Sequence, residues 1–350
     1  MGSVTSAGER PLRPGDVVEV RSAAEILATL DADGTLDEMP FMPEMVRHVG
    51  RRYTVSRRVE KICDTIAATG SRRMHATVYL DDLRCDGSGH AGCQAACKLY
   101  WKEAWLRRVD DASGGASASG EAAETLERVA QAGTRIEREV DGERTELWSC
   151  QATEAFRASE PLKTSNLSQY WRELRNGNFG LLRFIHLVLR GFVIEVGRRI
   201  NLIKPLPLHG PGNQSSPAEP LNIQPGDLVK VRSPNEIEAT LDERGFNRGL
   251  SFDREMLPYC GRTFRVKDRV DRIIDDKTGR LLKIPKDSLI LEGAVCSGER
   301  TAGCWFCPRQ IYPFWREAWL ERVEEPGVTQ PASANGRSEA GVPMPQVRGS

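Results

Sequence analysis

The chain has 350 residues, 39% hydrophobic and 28% charged, and its 49 Lys plus Arg are balanced by 49 Asp plus Glu. That length suits two or three domains of ordinary size, and zero net charge excludes a global field drawing the chain to nucleic acid or anionic membrane. The opening MGSVTSAGERPLRPGD lacks the apolar core of a signal peptide, and the longest apolar stretch, 179–200, is broken by Arg183, Arg190 and Glu195, which argues against a spanning helix.

Taken in order, residues 1–12 read as a disordered lead and 13–110 as a first module. Its opening DVVEVRS alternates apolar and polar residues as a strand does. Ser22 and Glu25 form an S-x-x-E capping box before the helical AEILATLD, and Gly34 ends that helix. RRYTVSRRV and ATVYLDDLRC read as further strands, the second delivering Cys85. The ending YWKEAWLRRV places Trp101 and Trp105 at i, i+4, one face of a closing helix. Residues 111–146 read as a flexible linker in which Glu121–Val140 could support a short exposed helix. A helical hairpin is expected over 147–203, with an apolar stripe of Leu181, Ile185, Val188, Leu189 and Phe192 packing on the modules. A Pro-rich linker follows at 204–222.

Residues 223–324 repeat the first module. Pro14 maps onto Pro225, Gly34 onto Gly245, Gly50 onto Gly261, Cys85 onto Cys296 and Cys93 onto Cys304, all with the offset 211. Trp101 and Trp105 recur as Trp315 and Trp319. Residues 325–350 read as a disordered tail. Strand, short helix and further strands with Gly turns suggest a β-rich α+β fold of two tandem SH3-like barrel modules. Each carries a Cys-rich metal loop and a closing helix.

Eight of nine cysteines lie in the two copies. A reducing cytoplasm is the expected compartment, and there clustered cysteines point first to metal. The clusters are Cys85-x7-Cys93-x3-Cys97, with His90 inside, and Cys296-x7-Cys304-x2-Cys307. Gly87, Gly89, Gly92, Gly298 and Gly303 would let backbone wrap an ion. Three thiolates leave one position of a closed tetrahedral Zn2+ site to fill. Cys63 and Cys260 lie upstream but do not align: Cys63 faces Ile274 and Cys260 faces Val49. His90 would complete the first copy as Cys3His. An iron–sulfur cluster and buried apolar thiols are the competing readings. Cys150, outside the repeat, reads as a buried core thiol.

The tryptophans are either core residues or an aromatic platform for a partner. No P-loop, G-x-S-x-G, H-E-x-x-H or G-x-G-x-x-G occurs.

At EVRSAAEILATLDADGTLDEMPFMPEM, KICDT, LRCDGSGHAGCQAAC and WKEAWLRRV the chain resembles a bacterial family sharing an EVRS–EI–TLD–PFMPEM run and an LRCDG–HGGCQA–C–WKEAWL ending. The resemblance covers the first copy and extends to SCQATEAF. This chain has Val49 where the family pattern has cysteine. The resemblance implies association with glycan or natural-product biosynthesis. The expected function is therefore a non-catalytic binding or scaffold protein for a peptide, protein or carried substrate. An iron–sulfur or zinc enzyme is the alternative, and an RNA-binding module, disfavoured by the neutral charge, a second.

Overall fold

The computed structural model describes residues 10–66, 70–109, 120–140, 143–163, 166–204, 206–211, 221–301 and 304–323. Most of the expected lead, part of both linkers, Gly303 and the expected tail lie outside them.

The first copy runs β1 (Val17–Val20), α1 (Ala23–Leu27), the short pair β2 (Thr35–Leu36) and β3 (Met39–Pro40), a 3-10 turn (Pro43–His48), β4 (Arg52–Arg58), β5 (Lys61–Cys63), β6 (Ser71–Arg73), β7 (Thr77–Leu80), β8 (Trp101–Lys102) and β9 (Leu106–Arg108). One antiparallel sheet has the order β8-β7-β4-β1-β9. The alternation of DVVEV puts Val18 and Val20 into the core. The capping box forms as the sequence predicts, with Ser22 and Glu25 each bonded to the other's backbone N–H.

Between the copies the expected flexible linker is largely structured. Helix α2 (Gly120–Gly133) buries Leu126 and Ala130 against the first core, and the hairpin β10 (Arg135–Val140) and β11 (Glu143–Trp148) follows. The anticipated helical hairpin is more mixed: α3 (Gln151–Glu154), a strand β12 (Glu160–Leu162) paired to β6, then α4 (Ser168–Arg175) and α5 (Leu181–Arg199).

The second copy runs β13 (Leu228–Val231), α6 (Pro234–Glu238), β14 (Phe246–Asn247), β15 (Leu250–Ser251), β16 (Thr263–Arg269), β17 (Arg272–Ile274), β18 (Leu281–Lys283), β19 (Leu289–Leu291) and β20 (Leu320–Arg322). Its sheet order is β19-β16-β13-β20, and the fold as a whole is mixed α+β, rich in small antiparallel sheets. Among the described residues neither sheet closes into a barrel, which corrects the barrel expectation.

The copies repeat their internal chemistry. Arg58 pairs with Glu103 and donates to the Leu12 carbonyl; Arg269 pairs with Glu317 and donates to that of Ile223. Leu12 is buried, so residues 10–12 belong to the fold and not to the lead. Trp105 Nε1 donates to Thr29 Oγ1 at 3.1 Å and Trp319 Nε1 to Thr240 Oγ1 at 3.0 Å. Phe41 and Phe252 meet these indoles edge to face. Trp101, Trp105, Trp315 and Trp319 are all 0% exposed, so the expected partner platform is instead the centre of each core.

The expected closing helix is also absent. Trp101–Lys102 and Leu106–Arg108 pair with β7 and β1, and only the 3-10 turn Glu103–Trp105 lies between. Sheet pairing overrides the i, i+4 spacing here.

Candidate metal centres

In the first copy, β7 delivers a loop that runs from Cys85 to Cys97 and closes on itself, with Cys85 N donating to the Cys97 carbonyl at 2.8 Å. Gly87 has φ +75°, and a Cβ there would sit 2.2 Å from the Cys93 carbonyl oxygen, so only glycine fits. Its N–H donates to Cys85 Sγ at 3.3 Å, and His90 Nε2 lies 3.4 Å from the same sulfur.

Opposite stands Glu44, from the Pro43–His48 turn. Its side chain is fully buried and its Oε1 lies 3.9 Å from His90 Nδ1. Glu44, Cys85 and His90 each bring a ligand atom to within 4.8 Å of the others. Both Glu44 oxygens and His90 Nδ1 are buried without a hydrogen-bond partner. Three orphaned polar atoms facing a thiol cost several kcal/mol as they stand, at about 1–3 kcal/mol each. A cation would satisfy them, so the donor set fits a metal. Cys93, Cys97 and Cys150 line the same small cavity, with Ile274 and Asp276 from the second copy. Burial pushes the Cys85 and Cys93 thiols up, and Cys97 up to about 12. Without an ion they stay protonated, so binding one would release protons. Cys150 is buried as expected, and Gln151 beside it bonds the Tyr100 backbone N–H and carbonyl.

In the second copy the loop Cys296–Cys307 has the same backbone device. Gly298 has φ +66°, and a Cβ there would meet the Cys307 carbonyl oxygen at 2.3 Å. Glu255, the counterpart of Glu44, is fully engaged: it accepts from the N–H groups of Ser297, Glu299, Arg300 and Thr301 and from the Ser297 hydroxyl. The same residue type thus anchors a loop in one copy and faces Cys85 and His90 in the other. Sequence reasoning missed Glu44, although Glu44–Met45 and Glu255–Met256 recur at the offset 211.

Against this loop lies Cys63, from the first copy. Its N–H donates to Cys307 Sγ at 3.2 Å, and its thiol interacts with those of Cys304 and Cys307. Those two donors, and then Arg309, hold Cys63 well below the usual thiol range. Burial, then Cys63, pushes Cys296 up to about 12. Cys260, the other predicted fourth ligand, packs against the second core instead.

The exchange is reciprocal in shape. Ile274 occupies the Cys63 position of the second copy, and its N–H donates to Cys93 Sγ at 3.3 Å. Gln94 ties the same strand down by accepting from the N–H groups of Asp271 and Arg272.

Over the second loop lies α5. Phe184 and Leu187 pack on Trp305 and Phe306, and Gly191 sits where a Cβ would be 3.1 Å from the Trp305 ring. The expected packing stripe faces outward: Leu189 is 62% and Phe192 68% exposed, and Leu181, Ile185 and Val188 are exposed as well. Trp171 on α4 is likewise 62% exposed. No helix among the described residues is long and apolar enough to cross a membrane.

No family model matches the chain, and no curated protein and no solved structure matches it.

Proposed function

We propose that this is a non-catalytic binding protein in which two metal-stapled modules, each an open SH3-like half-barrel, hold a fixed apolar helix face for a protein partner. The observation that carries the reading is the outer surface of α4 and α5. Leu182, Leu189, Phe192 and Val193 stand exposed on a helix whose inner side is seated on Trp305 and Phe306. Contiguous exposed apolar surface marks a partner site, and Trp171 supplies the kind of aromatic anchor on which binding energy concentrates.

Arg183, Arg190, Arg198 and Arg199 on α5 outnumber Glu195, the acidic group on the same helix. The complementary occupant is an amphipathic helical segment of a partner protein with acidic flanks. In keeping with the family resemblance, that partner would be an enzyme or carrier of a bacterial biosynthetic pathway.

The test is binding of the full-length protein to a synthetic amphipathic helix with acidic flanks, set beside binding to anionic lipid vesicles. Phe192→Glu should weaken peptide binding at least about tenfold, as loss of one interface anchor does, with an unchanged melting curve. Vesicle binding without peptide binding, or turnover of a substrate by the isolated protein, would overturn the reading.

A further inference from the structure

We propose that Cys63, Cys296, Cys304 and Cys307 form one tetrathiolate zinc site assembled from both copies, so that the ion clasps the two halves of the molecule together. The proposal deepens the reading of the cysteine loops as metal-binding and rests on it.

Three thiols come from one loop and the fourth from the end of β5, a strand of the other copy. The Cys63 N–H donates to Cys307 Sγ, and the Cys63 thiol interacts with those of Cys304 and Cys307. A tetrahedral zinc with sulfurs at about 2.3 Å would draw the four thiols closer than they stand, since among the described residues only Glu44, Cys85 and His90 bring three ligand atoms within 4.8 Å of one another.

Two further observations favour thiolates over packed neutral thiols. First, backbone N–H groups point at the sulfurs: Cys63 N at Cys307 Sγ and Ile311 N at Cys296 Sγ, both at 3.2 Å. Such donors stabilise metal-bound thiolate and set ligand orientation. Second, two cations are buried alongside. Lys61 is 2% and Arg309 6% exposed. Lys61 lies within electrostatic reach of Cys63, Cys304 and Cys307, and Arg309 donates to the Cys63 carbonyl at 3.4 Å. Zinc with four thiolates carries two negative charges. Burying a charged centre is tolerable where opposite charges are buried with it, and here Lys61 and Arg309 supply them. Glu173 and Asp276, which also face these cations, moderate that balance.

The counterpart position explains why the two sites differ. With Ile274 in place of a cysteine, the second copy cannot lend the first a thiolate, and there Glu44 and His90 stand beside Cys85 instead. One centre is therefore all sulfur and shared, the other mixed and local.

The experiment is metal analysis of the full-length protein, followed by cobalt substitution and its visible spectrum. Cys63→Ser should lose about one zinc per chain, or lose about a quarter of the sulfur-to-cobalt charge-transfer intensity of the shared site. Cys260→Ser should change neither. Should Cys63→Ser fold poorly, Cys63→His provides the second arm, keeping the zinc while shifting the cobalt bands to those of a three-sulfur, one-nitrogen site. Zinc content and spectrum indifferent to Cys63 would overturn the proposal, as would iron with acid-labile sulfide at these cysteines. Peptide binding through Phe192 is read separately. Its failure with a Cys63-dependent zinc leaves this site standing, and its success with a Cys63-independent zinc removes this site alone.

Discussion

Thr65 and Asp276 occupy the same position in the two copies, and Thr65 Oγ1 donates to Asp276 Oδ2 at 3.1 Å. A residue touching its own counterpart is what an isologous, two-fold-like contact produces on its axis. Arg309, 6% exposed, seals the contact: it donates to Thr65 Oγ1 at 3.1 Å and its guanidinium is 3.7 Å from the Asp276 carboxylate. Asp276→Ala should leave that guanidinium short of its charge partner and cost about 3 kcal/mol. Urea denaturation followed by two probes checks it. The variant should melt in two separable steps where the parent shows one.

The repeated ion pairs predict unequal costs. Glu317 accepts from Arg269 and from the N–H groups of Leu221 and Ile223, whereas the Glu103 carboxylate pairs with Arg58, which Glu60 also holds. Glu317→Gln should therefore destabilise by about 2–3 kcal/mol and Glu103→Gln by less, since charged hydrogen bonds contribute about 1.5–3 kcal/mol each. Chemical denaturation curves of the two variants give the comparison directly.

Replacing a buried repeat tryptophan and the exposed one should have opposite consequences. Trp319→Phe removes the bond to Thr240 and part of a packed core, costing about 1–3 kcal/mol without altering affinity for the helical peptide. Trp171→Ala should leave the melting temperature unchanged within about 2 °C and weaken the peptide complex several-fold. Paired thermal melts and titrations separate the two cases.

His48 carries a pH dependence. Burial, then Arg47 and Arg51, lowers it from 6.5 to about 4, and its Nδ1 lies 2.6 Å from the Tyr53 hydroxyl. A base whose folded pKa is depressed takes up its proton in the unfolded chain first. Its contribution is complete above pH 6.5 and is lost as the pH falls from there toward 4, by up to about 1.4 kcal/mol per unit. His48→Gln should flatten that part of the stability profile measured between pH 7 and 4.

At Glu44 the expected signature is a crossing of stabilities. Glu44→Gln should stabilise metal-free protein, because it removes a buried carboxylate without partners, and should lower metal affinity about 10- to 100-fold. Melts with and without a chelator show whether the sign reverses.

Much of the architecture was legible from residues whose chemistry is local. The alternation of Val18 and Val20, the Ser22–Glu25 box, and the glycines beside the cysteines each act within a few positions. What was not legible depended on pairing at a distance. WKEAWLRRV has helical spacing, but Leu106–Arg108 finds a strand partner in β1. The α5 stripe looked like a packing face because periodicity says nothing of which side meets protein, and the small Gly191, not the apolar row, marks the contact. Cys63 and Cys260 were both candidates for a fourth ligand, but alignment could not show that Cys63 lies against Cys307 of the opposite copy while Cys260 packs on its own core.

That cross-copy contact also bears on how the chain is made. Cys63 and Cys307 are 244 residues apart in sequence. At about 5–20 residues per second, the strand bearing Cys63 leaves the ribosome roughly 10–50 s before its partner loop exists. During that interval Cys63 lacks the thiols and the arginine that surround it in the finished fold. Ribosome-bound intermediates should accordingly be the form of this protein most open to oxidation, mispaired metal and chaperone capture.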